Sequence, residues 1–149
     1  MTLFPDEIFN LADVALEVAR RDPERIAVIE PTGRDRSSGG RRYRRFSYAE
    51  LSRDAESVAV GLREVGVAEG TRTVFMAPPS YRACVLGLAL TRVGATTIWI
   101  DPAVGYRNVG ERLRRVEPEA FVGVPLAHMG RLVFGWGPRI SLTRILVAP

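Results

Sequence analysis

The chain has 149 residues, 46% hydrophobic and 26% charged, which bounds it to one domain's worth of ordinary globular protein. No apolar run approaches the roughly 18 residues that would span a bilayer, and the opening MTLFPDEIFNLADV carries Asp6 and Glu7 where a secretory signal carries basic residues, so a cytoplasmic protein is expected. All 21 basic residues are arginine, so the net charge of +4 comes without any lysine for a Schiff base, a phosphate loop or a phosphate clamp.

From the start of the chain, Glu7–Arg21 has helical periodicity, with Ile8, Leu11, Ala15 and Val18 on one face. Ile26–Glu30 and Arg42–Phe46 read as two strands of a hairpin-like excursion, and PTGRDRSSGG between them as an exposed loop. Arg41-Arg42-Tyr43-Arg44-Arg45 is a basic cluster around an aromatic residue. A coding preference for arginine on an exposed strand face accounts for it, and no nucleic-acid partner is expected. Ser47-Tyr48-Ala49-Glu50 forms a capping box that opens a helix to Val65, ended by Gly66, with Val58, Leu62 and Val65 on its apolar face.

The second half alternates regularly. Thr73–Ala77, Thr96–Ile100, Ala120–Val124 and Thr143–Val147 are short, β-rich apolar runs whose starts lie 23, 24 and 23 residues apart. Helical segments separate them: Ser80–Val93, Asn108–Val116 and Leu126–Phe134. The pattern predicts βαβ units and a parallel sheet with helices on both faces. Ser80 is placed to cap the first of these helices and Gly94 to end it, Asp101-Pro102 to stop the second strand, and Pro118 and Pro125 to bracket the third.

Chemistry-bearing residues are few. Cys84, the only cysteine, lies in ACVLGLAL, where a buried, inert thiol is expected. His128, the only histidine, opens a short amphipathic helix as a surface or hydrogen-bonded helix residue, with a substrate contact as the alternative. One cysteine and one histidine exclude a zinc site built from those ligands. Glu111, Glu117 and Glu119 sit among arginines and read as solvated ion pairs. The chain contains no G-x-x-x-x-G-K-[ST], H-E-x-x-H or G-x-S-x-G, and Gly135-Trp136-Gly137, followed by Pro138, is no dinucleotide fingerprint.

Three segments, in order and at the right spacing, resemble the start of the adenylate-forming superfamily of acyl- and aryl-CoA synthetases, luciferases and peptide-synthetase adenylation domains. Phe46-Ser47-Tyr48-Ala49-Glu50-Leu51 is similar to that family's [LF]-[ST]-Y-x-E-L box, and Leu62–Val74 to its L-x-x-x-G-V-x-x-G-D-x-V run. Ala89–Pro102 resembles its A-x-x-K-A-G-A-x-x-V-P-x-D-P box. The departures are Thr71 for Asp, Arg92 for Lys, Ile98-Trp99 for Val-Pro, and Pro78-Pro79-Ser80 for Pro-Asn-Ser. The proline pattern and VEPEAFVGVPLAHMGRLVFGWGP look most like the β-lactone synthetases of bacterial long-chain olefin biosynthesis.

The resemblance implies a partial N-terminal subdomain of an ATP-dependent, AMP-forming acid ligase for a fatty-acid-type substrate, with a β-hydroxy acid closed to a β-lactone as the narrower expectation. It also implies that the phosphate loop, adenine box, ribose-binding Asp and catalytic lysine come later than these boxes. No catalytic, cofactor-binding or metal residue is therefore expected here, ATP and Mg²⁺ belonging to the full-length enzyme. Residues 1–149 are expected to form one incomplete domain, with 1–70 the helix, hairpin and helix and 71–149 the βαβ units, ending on the uncapped run Arg144–Pro149. Such a chain should be inactive alone and poorly soluble through an uncovered apolar face. The alternatives are a free-standing α/β interaction domain and a basic nucleic-acid-binding module.

Overall fold

The structure, a computed structural model, describes residues 10–100, 106–136 and 143–146. Its first helix, α1 (Leu11–Arg21), starts at Asn10. The Asn10 side chain accepts the Ala12 N–H at 2.9 Å and donates to the Thr91 carbonyl at 2.7 Å. That double tie fixes the rotation of α1, burying Ala12 and leaving Leu11, expected inside, exposed. Ile8 lies outside the described residues.

The hairpin consists of β1 (Ile26–Arg34) and β2 (Arg41–Ser47), paired antiparallel. Its strands are longer than expected, because Pro31–Arg34 continue β1 through a register shift between Pro31 and Gly33. Pro31 is tolerated there since a two-stranded ribbon has open edges. The expected loop shrinks to a turn organised by Asp35, whose carboxylate accepts the Ser37 hydroxyl, the Ser38 N–H at 3.1 Å and the Ser37 N–H at 2.8 Å. Those donors lower its pKa to about 2.

Ser47 then caps α2 (Tyr48–Glu64) by the reciprocal box read from the sequence. Its hydroxyl accepts the Glu50 N–H at 3.3 Å, and Glu50 accepts the Ser47 N–H at 2.8 Å. Leu51, Ala55, Ala59 and Leu62 form the buried stripe, with Val58 partly buried against it. Val65 is exposed, because it is the C-cap and the following residue turns away: Gly66 has φ +88° and Val67 donates to the Leu62 carbonyl at 2.9 Å.

A four-stranded parallel sheet follows, built from β3 (Arg72–Met76), β4 (Thr96–Trp99), β5 (Ala120–Gly123) and β6 (Thr143–Leu146) in the order β4-β3-β5-β6. All three strand pairings are parallel, as the 23–24-residue spacing predicts. The connecting helices are α3 (Tyr81–Arg92), α4 (Tyr106–Val116) and α5 (Pro125–Phe134). Alternation along the strands divides the interior in two. Phe75 and Val122 pack with Ala59 and Leu62 of α2 and Ala89 and Leu90 of α3. Val74, Met76 and Phe121 pack on the other face with Val109 and Leu113 of α4 and Ala127 of α5.

One expectation about burial fails here. Among the described strands β4 is an edge and is not fully buried: Trp99 is 62% exposed, its ring resting on Phe75 (centroids 4.3 Å apart) and over Gly87. Helix α5 buries Ala127 and Arg131, while Leu126, Met129, Leu132 and Val133 face outward.

Gly94 ends α3 with φ +76°, and Ala95 donates to the Leu90 carbonyl at 3.0 Å. A Cβ at Gly94 would lie 3.2 Å from Glu69 Cβ and 3.3 Å from Glu69 Cα, backbone that cannot swing aside. Gly94→Ala is expected to destabilise the domain by at least about 1–2 kcal/mol, the cost of an L-residue in the left-handed region. The check is a urea midpoint that falls with an unchanged slope.

Candidate functional site

Open parallel sheets bind ligands outside the carboxyl ends of their strands, where successive connections leave to opposite sides. In the order β4-β3-β5-β6 that point lies between β3 and β5. The chain there is Ala77-Pro78-Pro79-Ser80 after β3 and Val124-Pro125 after β5. Three prolines remove three backbone donors.

The described residues at this point are close-packed. Val124 donates to the Met76 carbonyl at 3.3 Å, closing β5 onto β3. Gly123 has no room for a side chain, since a Cβ would fall 2.8 Å from the Phe121 ring, 3.1 Å from Ala127 Cβ and 3.2 Å from the Met76 carbonyl oxygen.

Of the two helix starts at this edge, that of α3 is likewise committed. Ser80 caps α3 as expected, its hydroxyl accepting the Ala83 N–H at 3.1 Å. Glu30, reaching from β1, accepts the Tyr81 N–H at 2.8 Å, so the positive end of α3 already holds a carboxylate of the same chain. No local signal marks Glu30, because its contact spans 51 residues of sequence. Helix α5 begins with Pro125 at its first turn and has no side-chain cap.

The remaining singled-out residues are scattered. Arg82 lies exposed in the first turn of α3, the Arg107 side chain and Asp101 lie outside the described residues, and no group of three or more His, Cys, Asp or Glu is placed to hold a metal among the described ones. Glu111 pairs with Arg115 at 2.9 Å and Glu119 with Arg72 at 3.6 Å, both exposed, while Arg72 Nε donates to the Glu117 carbonyl at 2.9 Å. His128 is half-buried, its ring meeting the Phe121 ring edge-on at 5.0 Å. Cys84 corrects the expectation of burial: α3 turns it outward. Partial desolvation and the Glu30 carboxylate still push its pKa above the ordinary thiol value, so it stays protonated at neutral pH.

The three boxes are brought together as structure. Ser47 and Glu50 cap α2, Gly70 donates to the Gly94 carbonyl at 2.9 Å, and Thr71 replaces an acidic side chain with a hydroxyl that accepts the Ala68 N–H at 3.0 Å. Arg92 ties α3 to α2 through Glu56 and to α1 through Asp13 at 3.8 Å.

Comparison with known proteins gives this geometry a context. The family model described as AMP-binding enzyme matches residues 16–139. The olefin beta-lactone synthetase of Stenotrophomonas maltophilia is 37% identical over 130 residues, covering 87% of this chain and 24% of that protein. Its counterpart in Xanthomonas campestris pv. campestris is 34% identical over 137 residues, covering 92% and 24%. The chain thus spans about a quarter of the length of these relatives. Among solved structures, the N-terminal domain of FACL13 from Mycobacterium tuberculosis superposes with a TM-score of 0.76 at 19% identity, over 94% of this chain and 34% of that one. The N-terminal subdomain of Klebsiella oxytoca NpsA gives 0.71 at 19% identity, over 85% and 30%.

Proposed function

The chain belongs to the AMP-binding enzyme family, and from that membership we propose that it is the N-terminal scaffold of an ATP-dependent, AMP-forming acid ligase, one incomplete domain of a longer enzyme. The substrate is a fatty-acid-type carboxylic acid, and in the narrower reading a β-hydroxy acid closed to a β-lactone. The observation that carries the proposal is the match over residues 16–139 to the family, with the identity to two olefin beta-lactone synthetases. The outward apolar face of α5 supports incompleteness, since a helix seldom turns Leu126, Met129 and Val133 to water without a covering surface.

ATP and Mg²⁺ do not fit the described residues as a site. The prolines after β3 and β5 remove amide donors, Glu30 fills the α3 N-terminus, and no described carboxylate cluster offers Mg²⁺ oxygen ligands. The contribution of these residues to catalysis is positional: they hold the sheet and helices against which the rest of the enzyme assembles. No helix among the described residues is long and apolar enough to cross a membrane.

The test has two arms. The 149-residue chain, mixed with ATP and long-chain β-hydroxy or simple fatty acids, should release pyrophosphate no faster than buffer and show no sub-millimolar ATP binding by calorimetry. A chimera carrying residues 16–139 in place of the aligned quarter of the Stenotrophomonas maltophilia synthetase should keep AMP-forming turnover. Turnover by the chain alone, or a folded but dead chimera, would overturn the scaffold reading.

A further inference from the structure

The net charge is concentrated in one element. Six of the 21 arginines (34, 36, 41, 42, 44 and 45) and two of the 17 carboxylates (Glu30 and Asp35) fall within residues 26–47. The rest of the chain then holds fifteen of each sign, so the whole formal charge of +4 resides in the hairpin. A coding preference for arginine raises the count everywhere; it does not by itself leave a balanced body carrying a cationic arm.

Neither hairpin carboxylate is paired with an arginine of the arm. Asp35 is taken up by Ser37 and Ser38 in its own turn, and Glu30 by the Tyr81 N–H. Among the described residues none of the six arginines forms an ion pair, and the only directed contact of their guanidinium groups is Arg44 over the Phe46 ring at 4.7 Å.

Strand alternation gives the arm two faces. Phe46 is stacked on Tyr81, Glu30 reaches Tyr81, and Arg44 covers Phe46, so these three mark the face toward the body. Arg41, Tyr43 and Arg45 lie on the other face, paired across the ribbon with Arg34, Pro31 and Ile29. Ile29 is 57% and Tyr43 54% exposed. One solvent-facing surface therefore interleaves three guanidinium groups with an isoleucine, a proline and a tyrosine.

We propose that this outer face of the hairpin is a docking surface for an anionic phospholipid bilayer. Guanidinium groups complement lipid phosphates, and exposed Ile29 and Tyr43 are the side chains that enter the headgroup boundary. Nucleic acid would also attract the arginines, but Tyr43 is the one aromatic ring on this face, flanked by aliphatic Ile29 and Pro31 rather than by further rings on which successive bases could stack. The inference stands independently of the reaction the protein serves.

The experiment is flotation of the full chain through a density gradient, with vesicles of phosphatidylcholine alone or of phosphatidylcholine mixed with phosphatidylglycerol. Aggregated protein sinks, so only bound protein rises. The chain should float with the anionic vesicles, be released by high salt, and stay down with the neutral ones. Arg41→Ser with Arg45→Ser should cut the floated fraction about tenfold or more, as should Ile29→Ser with Tyr43→Ser, with circular dichroism unchanged. Arg41→Lys with Arg45→Lys should float like the parent. Equal flotation with neutral vesicles, or flotation indifferent to the hairpin substitutions, would assign the binding to the apolar face of α5 and overturn the proposal. So would absence of flotation alongside retention on duplex DNA in the same buffer.

Discussion

Phe121→Ala is expected to remove about 3–5 kcal/mol of stability, the range for deleting a buried aromatic ring. Phe121 is fully buried on β5, an interior strand, between Val74 and Met76 of β3 and the helices α4 and α5. Its ring meets His128 edge-on and closes over Gly123, whose missing side chain makes the space. Nothing nearby can refill the void: Gly123 cannot grow, and Val109 and Leu113 are fixed by α4, itself packed around Trp136. For a domain whose total stability is of order 5–15 kcal/mol, such a loss populates the unfolded chain. Urea titration followed by tryptophan fluorescence reads it, with Phe121→Leu as a milder control. A loss below about 1 kcal/mol would mean that this face of the sheet is loosely packed.

Tyr81→Ala should cost about 3–4 kcal/mol, and its effect should concentrate on the hairpin. The Tyr81 ring stacks on Phe46 with centroids 3.6 Å apart and planes within 3°, and its hydroxyl donates to Asp54 at 2.8 Å. With Leu51 and Val85 this pair forms the small core that seats β1 and β2 on α2 and α3. Losing it should free the arginine-rich arm for trypsin before the sheet unfolds. Tyr81→Phe keeps the stack and drops only the hydrogen bond, about 1–2 kcal/mol.

The wild type and Tyr81→Phe also differ in their pH response. Burial first, then the Asp54 hydrogen bond and charge, hold the Tyr81 proton above the ordinary phenol range. A raised folded pKa means that this contribution is intact below about pH 10, the unfolded value, and is lost as the pH climbs from there toward the folded value. Wild-type stability should therefore decline at strongly alkaline pH more steeply than that of Tyr81→Phe. Parallel curves between about pH 10 and pH 12 would remove Tyr81 from the alkaline response.

Features written in local spacing are legible in the amino-acid sequence itself. The parallel sheet follows from four runs at nearly equal intervals, the α2 cap from Ser47 and Glu50 three apart, and the turns from Gly66 and Gly94. What failed depended on neighbours that periodicity does not name. Leu11 belongs to an apolar stripe, but the tie from Asn10 to Thr91, 81 residues away, sets which side of α1 is buried. Cys84 sits in an apolar run, yet helix geometry turns it outward. Thr96–Trp99 has the composition of an interior strand and lies at an edge, because strand order is not encoded in any one strand. The site showed the same division: cap residues were readable as caps, while the occupation of the α3 N-terminus by Glu30 required two elements to be in place.

The hairpin's arginines also make the molecule electrically lopsided. A body with fifteen charges of each sign carries almost no monopole, so an external field acts mainly on residues 26–47 and exerts a torque as well as a pull. The chain should then approach any anionic matrix in one orientation, arm first. Its retention on a cation exchanger would report the local charge density of a two-stranded ribbon, and its nominal pI near 10.0 would describe that ribbon better than the fold behind it.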